Sequence, residues 1–344
     1  MVEGSVAGMR ISVALATYNG ERYLQELLDS IVKQTRLPDE LIVYDDASSD
    51  QTMAILQGFS RSAPFRVYIE QNPQNVGSTR NFEKAIRNCS GDVIALCDQD
   101  DYWHPEKLAL IEETLEANPE KGLVFSDAEL VDDHLHSLNK TMWEHIGLVA
   151  SSKARIQTQE AFSMLLKRRY VTGATMAFRA SFRDGVLPIS PHWVHDGWIS
   201  INIAAHSTFA LIPRPLIQYR QHAANQIGAK TKRKHVIQRM WHLMRVQPPT
   251  YTREYKAYQD LLSHLSNNLA SDRAAEILPQ VQDKVEHWQI RASVDAPPLE
   301  RIREIIGELR NGRYQKYAVR EVWSAIRDLL YLAFLVFDNQ SASQ

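Results

Sequence analysis

The chain has 344 residues, of which 44% are apolar and 23% charged, and its formal net charge is −2. This composition is ordinary for a folded globular protein and excludes wholesale disorder. Acidic residues predominate before residue 230 and basic residues after it, which favours cation binding in the first part and gives no support for a nucleic-acid partner.

Strand-like and helix-like patterns alternate through roughly the first 125 residues. Four apolar runs predict strands: "ISVALATY", "ELIVYDD", "FRVYIEQ" and "DVIALCDQDD". Three stretches between them have apolar residues at helical spacing: "ERYLQELLDSIVKQT", "QTMAILQGFSRS" and "STRNFEKAIRNC". This alternation predicts an α/β domain in which helices cover both faces of a mostly parallel sheet.

Three of these strands end in polar clusters, "ATYNG", "YDDASSD" and "CDQDD". In such sheets the carboxyl ends of the strands meet at one edge, and ligands bind there. We therefore expect a nucleotide site at this edge.

The second half of the chain changes character near residue 230. Strand patterns "GLVFSDAELVD", "YVTGATMAFR" and "FALIPRPLIQYR" surround a helical stretch, "QEAFSMLLKRR", and a second helix that should begin near Asp196. After the basic stretch "AKTKRKH" the patterns are helical almost throughout. We predict a catalytic domain over residues 1–229 and a helical C-terminal region over 230–344.

The stretch "DQDD" offers three carboxylates, Asp98, Asp100 and Asp101, directly after an apolar strand. Alternate residues of a strand point the same way, so Asp98 and Asp100 can share one side. Hard divalent cations such as Mg²⁺ or Mn²⁺ are held by one or two carboxylates together with substrate phosphates. A solvated turn is the alternative interpretation.

A second acidic strand end contains Asp45 and Asp46. The next residues, Ser48 to Asp50, suit the N-cap of a following helix. Capping does not explain Asp45 and Asp46, and a carboxylate can accept the N3–H of a uracil or thymine ring. Tyr18 could stack on such a base.

Four segments, in this order and spacing, carry a family resemblance: "VALATYNGERYLQELLDSIVKQT", "PDELIVYDDASSD", "NVGSTRNFEKAI" and "DQDDYWHPEKL". They resemble the family 2 inverting glycosyltransferases of the GT-A fold. With "HDGW" and "YRQHAANQIG", the chain is most similar to rhamnosyltransferase-type, non-processive members. The resemblance covers about residues 9–228 and implies a GT-A nucleotide-diphospho-sugar transferase fold with a C-terminal α-helical extension.

The resemblance implies nucleotide-binding, metal-binding and sugar- or acceptor-binding residues. The nucleotide set is Ala16, Thr17, Tyr18, Asp45, Asp46, Asn75, Gly77, Arg80 and Asp98. The family often has Thr where this chain has Ala16. Asp98, Asp100 and His222 are the implied ligands of Mn²⁺ or Mg²⁺, although His222 could equally be packed or solvated. For the segment around Asn75 to Arg80, a helix entry is the alternative.

The "HDGW" segment matches the position of the family's catalytic base, which here is Asp196. His195 stands where the family usually has Glu, and it could orient the acceptor or tune Asp196. Capping of the following helix is the alternative role for Asp196. The sugar and acceptor residues implied are Asp101, Trp103, Gly173, Thr175 and Trp198. Trp193 could also stack on a sugar, and core packing is the alternative for all three tryptophans.

The implied reaction is inverting, metal-dependent transfer from dTDP-rhamnose or a UDP-hexose to a hydroxyl group. The acceptor would be a saccharide or lipid-linked molecule in bacterial surface polysaccharide or glycolipid assembly. An inactive binding or scaffold relative and a sugar nucleotidyltransferase are the rivals. The intact Asp98, Asp100 and Asp196 weigh against the first rival. The absence of a glycine-rich N-terminal loop weighs against the second.

Two further features bear on location. The N-terminus lacks the pattern of a secretion signal, and no apolar run approaches the roughly 20 residues of a membrane span. We expect a cytoplasmic protein whose Cys89 and Cys97 are free, packed thiols. The apolar end of the chain, Leu329 to Phe337, could be a buried helix, an oligomer contact or a peripheral anchor at the inner face of the membrane.

Overall fold

The computed structural model describes residues 8–222, 248–293 and 297–341. The chain divides into two compact units. The first contains the described residues up to Phe162 and those from Tyr170 to His222, and the second contains Ser163–Arg169 and the described residues after 247. The boundary predicted at residue 230 lies outside the described residues and stays a prediction.

One sheet organises the first unit. Its strands are β1 Ile11–Thr17, β2 Glu40–Asp45, β3 Arg66–Gln71, β4 Val93–Asp98, β5 Tyr102–Trp103, β6 Lys121–Val131, β7 Ser137–Thr141, β8 Met176–Arg179 and β9 Thr208–Arg220. Within the described residues the order is β3-β2-β1-β4-β8-β6-β9-β5, and β7 pairs with β6.

The sheet is parallel in its first half and mixed beyond it. The pairs β1–β2, β1–β4 and β2–β3 are parallel, as the alternation of patterns predicts. Strand β8 is antiparallel to both of its neighbours, β4 and β6, while β6 and β9 are parallel. The structure therefore confirms the parallel half and adds a second half that contains antiparallel pairs.

Helices connect and cover these strands. They are α1 Leu24–Val32, α2 Thr52–Ser60, α3 Ser78–Asn88, α4 Lys107–Ala117, α5 Met142–Ile146, α6 Ala150–Ile156, α7 Ala161–Lys167, α8 Arg183–Val186 and α9 His195–His206. Two 3-10 turns, Gly173–Thr175 and Ala180–Phe182, flank β8. The strand predicted over "YVTGATMAFR" is thus shorter than expected, because its first part forms the turn at Gly173–Thr175.

The core explains why these segments form these elements. Leu15 of β1, Leu28 of α1, Val43 of β2, Cys97 of β4 and Leu108 of α4 belong to one fully buried cluster. Successive residues of β1 point to opposite faces of the sheet, and both sets are buried, so the strand needs an apolar run rather than an alternating pattern. Both cysteines are buried free thiols, as predicted.

The described part of the second unit is helical after residue 247. Its helices are α10 Pro248–Asn268, α11 Ser271–Ala292, α12 Pro298–Arg310, α13 Arg313–Tyr317 and α14 Glu321–Ser341. Ile305, Tyr314 and Leu332 are buried together in its core. In α14, Leu330 is half exposed, and the side chains beyond residue 332 lie outside the described ones. Among the described residues, no helix is long and apolar enough to span a membrane.

Candidate active site

The ends of three parallel strands bring the predicted polar residues together. Thr17, Asp45 and Asp98 are the last residues of β1, β2 and β4. The register places Thr17 beside Asp45 and Ala16 beside Asp98. The edge of the sheet expected to bind a ligand therefore carries both acidic clusters.

Asp45 is a buried acceptor that holds this edge in shape. Its Oδ1 accepts hydrogen bonds from Thr17 Oγ1 at 2.9 Å and Ser48 Oγ at 2.5 Å. Its Oδ2 accepts from the backbone N–H of Ser48 at 2.8 Å and from Gln71 Nε2 at 3.0 Å. Both oxygens are engaged by the protein, so Asp45 orders the surrounding loops.

Asp46 is buried and closes the loop before α3. Its carboxylate accepts the backbone N–H groups of Val76 and Gly77, each at 2.8 Å, and Asn72 Nδ2 at 2.9 Å. Gly77 has φ +86°, a conformation that glycine adopts without a steric penalty. Asn75 donates to the carbonyl oxygen of Asp46 at 3.4 Å. The implied nucleotide residues after β2 and before α3 thus belong to one hydrogen-bonded network.

Tyr18 is tied to the acidic loop through its backbone, which leaves its ring free to meet a ligand. Gln99 accepts from the Tyr18 N–H at 2.8 Å and donates to the Tyr18 carbonyl at 2.9 Å, while the Tyr18 residue is 48% exposed. A Cβ at Gly20 would collide with the Gln99 amide. The turn "NG" therefore admits the contact between the ends of β1 and β4.

In the acidic loop, defined here as Asp98–Asp101, burial and repulsion between the carboxyl groups disfavour their ionisation. Burial raises the pKa of Asp98 to about 7, and repulsion from Asp100 and Asp196 acts in the same direction. Burial likewise raises the pKa of Asp101 well above its usual range. The Oδ2 atom of Asp101 is buried and has no hydrogen-bond partner within the described residues. Such a site favours a positive ligand that would offset this repulsion.

Asp100 and His222 face each other across the site. Asp100 Oδ2 lies 2.8 Å from His222 Nε2, and the imidazole packs 5.1 Å from the Tyr23 ring. Two carboxylates and an imidazole are suitable donors for Mn²⁺ or Mg²⁺. No group of three or more such side chains is arranged to hold a metal ion within the described ranges. The donor chemistry suits Mn²⁺ or Mg²⁺, and a full set of ligands would need further oxygens, such as those of a bound phosphate.

Arg220 fixes the backbone of the acidic loop. It is fully buried, and its Nε donates to the Asp100 carbonyl at 2.9 Å. Its backbone N–H donates to Asp101 Oδ1 at 3.2 Å, and its Nη2 pairs with Glu26 Oε2 at 2.5 Å. The end of β9 is thereby joined to the end of β4.

Asp196 lies in the first turn of α9, held by backbone donors. Its Oδ2 accepts the N–H of Gly173 at 3.2 Å, and its Oδ1 accepts the N–H of Gly197 at 2.6 Å. The helix N-cap itself is Val194. The charge of Asp196 contributes to the raised pKa of Asp98, so Asp196 interacts electrostatically with the acidic loop.

His195 is buried beside Asp196. Its ring stacks on Phe82 with 4.0 Å between centroids, and neither ring nitrogen has a hydrogen-bond partner among the described residues. Burial lowers the pKa of His195, which favours a neutral imidazole. A Cβ at Gly173 would lie 2.8 Å from His195 Nε2, so the glycine is required for this close packing.

The structure buries all five implied sugar and acceptor residues: Asp101, Trp103, Gly173, Thr175 and Trp198. Trp103 and Trp198 are buried in the core, and Trp198 Nε1 donates to the Val186 carbonyl. Their burial favours the packing alternative over sugar stacking, and the same holds for Trp193. Thr175 is buried and bonds to Thr172 within its own turn. Arg80 is partly exposed and pairs with Glu83 at 2.5 Å.

Three residues of this site were not singled out from the sequence. Gln99 and Arg220 hold the acidic loop. The third, Lys107, is a fully buried cation whose charge acts on Asp98 and Asp101. Asn81, which belongs to the segment "NVGSTRNFEKAI", donates to the carbonyls of Thr17 and Tyr44 at the ends of β1 and β2. Gln99 and Lys107 lie within "DQDDYWHPEKL", so proximity to the acids was the available signal.

A model of the family described as "Glycosyl transferase family 2" matches residues 12–182. An uncharacterized protein of Mycobacterium tuberculosis is 28% identical over 224 residues, which are 62% of this chain and 59% of that protein. The "dTDP-rhamnosyl transferase RfbG" of Shigella flexneri is 25% identical over 249 residues, or 66% of this chain and 80% of that protein. The chain thus spans about three fifths of the mycobacterial relative's length.

Solved structures agree on the fold. The crystal structure of residues 1–349 of Staphylococcus aureus TarS matches with a TM-score of 0.57 and 16% identity, covering 98% of this chain and 92% of that chain. Its complex with UDP-GlcNAc matches with a TM-score of 0.53 and 15% identity, covering 90% and 89%. At this identity the likeness concerns the fold alone. Together with the family match and the named relatives, it leads to the conclusion that this chain belongs to glycosyl transferase family 2 and has the GT-A fold.

Proposed function

We propose that this chain transfers a sugar from a nucleoside diphosphate to a hydroxyl acceptor, with a divalent cation and with inversion at the anomeric carbon. One observation carries the proposal. Asp98 and Asp100 lie at the end of β4, and the Gly173–Thr175 turn, whose Gly173 N–H holds Asp196, directly precedes β8, the antiparallel neighbour of β4. This arrangement supports a phosphate-side cation site and a separate carboxylate base.

The donor is dTDP-rhamnose or a UDP-hexose, bound at the ends of β1 and β2. Tyr18 presents an exposed ring for stacking on the base, and Asp46 and Asn75 line the adjoining loop. The name of the Shigella relative specifies dTDP-rhamnose, and the TarS complex contains UDP-GlcNAc. Both names support a pyrimidine nucleotide for this chain.

Asp98, Asp100 and His222 would hold Mn²⁺ or Mg²⁺. When bound, the cation would neutralise the diphosphate as it becomes the leaving group. Arg220 and Gln99 keep the loop that presents these ligands in one conformation. Positioning of this kind lowers the entropic cost of reaction.

Asp196 removes the proton from the attacking hydroxyl. The N–H groups of Gly173 and Gly197 orient its carboxylate, and the neutral imidazole of His195 packs beside it. The hydroxyl attacks the anomeric carbon from the face opposite the diphosphate, which inverts its configuration. One base and no enzymic nucleophile are sufficient for this outcome.

We place this reaction in bacterial surface polysaccharide or glycolipid assembly, with a saccharide or lipid-linked acceptor. The name of the "Poly(ribitol-phosphate) beta-N-acetylglucosaminyltransferase TarS" of Staphylococcus aureus supports a polymeric acceptor. A lipid-linked acceptor would put the enzyme at the inner face of the cytoplasmic membrane.

The test begins with thermal shifts of the purified chain against UDP-, dTDP- and GDP-sugars in Mn²⁺, Mg²⁺ or EDTA. We expect stabilisation by a uridine or thymidine donor that requires metal and is lost in Asp100→Ala. With donor and acceptor identified, Asp196→Asn should reduce turnover by about 10²- to 10⁴-fold while donor binding remains.

The matched control is Asp184→Asn, because the Asp184 side chain is 92% exposed. This control should retain full turnover. The anomeric configuration of the product, read by NMR, tests inversion. Wild-type turnover in both Asp100→Ala and Asp196→Asn would refute the assigned roles.

A further inference from the structure

Tyr23 immediately precedes α1 and is only 8% exposed. It is the first apolar position of the helical pattern in "ERYLQELLDSIVKQT", and the next two, Leu24 and Leu27, are fully buried. The Tyr23 hydroxyl makes no hydrogen bond of regular geometry within the described residues. A leucine would therefore satisfy the apolar pattern, and the packing of the aromatic ring is what distinguishes Tyr23.

Two guanidinium groups and an imidazole pack around the Tyr23 ring. The Cζ atom of Arg220 lies 4.3 Å from the ring centre and that of Arg22 lies 4.9 Å from it. The centre of the His222 ring lies 5.1 Å away, with 33° between the two ring planes. The Arg22 side chain is 62% exposed, whereas that of Arg220 is 1% exposed. Because a cation–π contact is stronger when it is desolvated, the contact with Arg220 is the stronger of the two.

Arg220 and His222 both contact Asp100 in the acidic loop. Arg220 Nε donates to the Asp100 carbonyl at 2.9 Å, and His222 Nε2 lies 2.8 Å from Asp100 Oδ2. Arg220 is the last residue of β9, and His222 follows two positions later. One ring at the start of α1 thus packs against two side chains that contact the same proposed metal ligand.

Hydrogen bonds alone leave both groups some freedom. The guanidinium of Arg220 donates to Asp133 O and to Glu26 Oε2, each at 2.5 Å, and bonds in the plane of the group permit it to tilt. The χ2 torsion of a histidine has broad minima, so rotation of the His222 ring can carry Nε2 away from Asp100. A rigid ring packed against each group opposes both movements.

Building on the proposed function, we propose that Tyr23 is a positioning residue for the cation and diphosphate site. Its ring holds the His222 imidazole and the Arg220 guanidinium in the orientations that bring both groups to Asp100. The ring performs this role and the hydroxyl does not. Tyr23 therefore acts on the cation and the diphosphate through His222 and Arg220.

The test compares Tyr23→Leu, Tyr23→Phe and, as matched control, Phe59→Leu. Phe59 in α2 is 9% exposed and packs with 6.1 Å between its ring centre and that of Phe65, so the control removes a similarly buried ring from the same unit. Calorimetric titration measures the affinity for UDP and dTDP in Mn²⁺ and in EDTA. NMR of isotope-labelled histidine reports the His222 ring, whose resonances are identified by their absence in His222→Ala.

We expect Tyr23→Leu to weaken Mn²⁺-dependent nucleotide binding by about tenfold, because the groups around a metal ligand set its orientation. The His222 ring resonances should shift as well, since the ring current of Tyr23 is lost. Tyr23→Phe keeps the ring and should preserve both the affinity and the resonances, and Phe59→Leu should change neither. Wild-type affinity in Tyr23→Leu would overturn the proposal, and so would a loss in Tyr23→Phe equal to that in Tyr23→Leu.

A double-mutant cycle distinguishes positioning from a general loss of packing. The effects of two residues that act through one another are not additive. In a His222→Ala background we therefore expect Tyr23→Leu to weaken nucleotide binding by at most about threefold, in place of about tenfold. Equal losses in the two backgrounds would contradict the proposal. If Tyr23→Leu does not fold, Tyr23→Met replaces it under the same criteria.

Failure of the proposed function gives a different result. Wild type itself would then show no Mn²⁺-dependent binding of UDP or dTDP, and the positioning role would be refuted with it. The His222 ring resonances would still shift in Tyr23→Leu, because the contact between the two rings does not depend on a ligand.

Discussion

At the scale of single residues, the site depends on close approaches that only particular side chains allow. Gly173 illustrates this, since its N–H holds Asp196 and its Cα faces the His195 ring. Asp45 and Asp46 illustrate the opposite case, because their oxygens are occupied by protein donors before any ligand arrives. The acids that order the loops thus differ from those that remain available to a cation.

Gly173→Ala tests the packing around the base. The new Cβ would lie 2.8 Å from His195 Nε2, closer than real side chains approach. The turn or the imidazole must move, so we expect kcat to fall by about tenfold to 100-fold with little change in donor KM. Steady-state kinetics measure this split.

Gly58→Ala is the control for that substitution. Gly58 lies inside α2, and an added Cβ would meet nothing within 4 Å. This variant should keep full activity and gain up to about 1 kcal/mol in the free energy of unfolding. Full activity in Gly173→Ala as well would contradict the prediction that the Gly173–Thr175 turn holds Asp196 in place.

At the scale of secondary-structure elements, local sequence patterns predict some strands and helices, and long-range contacts determine the others. The strands β1 to β4 and helices α1 to α3 follow from apolar periodicity, because each signal lies within one short segment. The antiparallel insertion of β8 between β4 and β6 has no such signal. The 3-10 turn at Gly173–Thr175 was hidden within an apolar run that resembled a strand.

The same distinction applies to the site. Asp98, Asp100 and Asp196 could be proposed as site residues from the sequence because their motifs are short. The contact of Arg220 with Asp100 joins residues 120 positions apart, and no local pattern indicates it. The burial of Trp103 and Trp198 likewise depends on tertiary packing. A sequence therefore indicates reactive groups more readily than the residues that position them.

Arg220→Met tests the link between the ends of β9 and β4. The change removes a buried donor to the Asp100 carbonyl and leaves that oxygen with one hydrogen bond fewer. We expect the acidic loop to lose order, so that Mn²⁺ and donor affinities each fall by about tenfold or more. Isothermal titration calorimetry measures both.

Arg214→Met is the matched control on the same strand. Arg214 is about half exposed and pairs with Glu106 at the surface. Such exposed pairs contribute at most about 1 kcal/mol, so donor and metal binding should not change. Equal affinities in the two variants would contradict the prediction that Arg220 orders the acidic loop.

At the scale of the whole molecule, the two compact units are interleaved along the chain. Ser163–Arg169 lies between segments of the first unit in sequence but belongs to the second. Tyr258 donates to the Leu166 carbonyl at 3.4 Å, and Lys167 pairs with Glu321 at 2.9 Å. The predicted boundary at residue 230 therefore separates this short segment from its partners.

A fragment of residues 1–229 tests this organisation. It retains Leu165 and Leu166, which are buried in the full chain, but lacks Tyr258 and Glu321. We expect the fragment to unfold at a lower temperature than the full chain and to aggregate, because apolar surface has lost its cover. Calorimetry and light scattering measure these changes.

Replacing Leu165 and Leu166 by Ser in the same fragment is the control. This variant should aggregate less than the unmodified fragment. If the unmodified fragment is monomeric and unfolds at the temperature of the full chain, residues 230–344 are not needed to cover this segment.

The interleaving has a consequence for how the protein is made. Ser163–Arg169 leaves the ribosome well before α10 and α14, whose residues it contacts, have been synthesised. At about 5–20 residues per second, the apolar side chains of this segment would wait at least several seconds for their partners. During this interval nascent chains would present Leu165 and Leu166 to chaperones, and slow translation would lengthen that exposure.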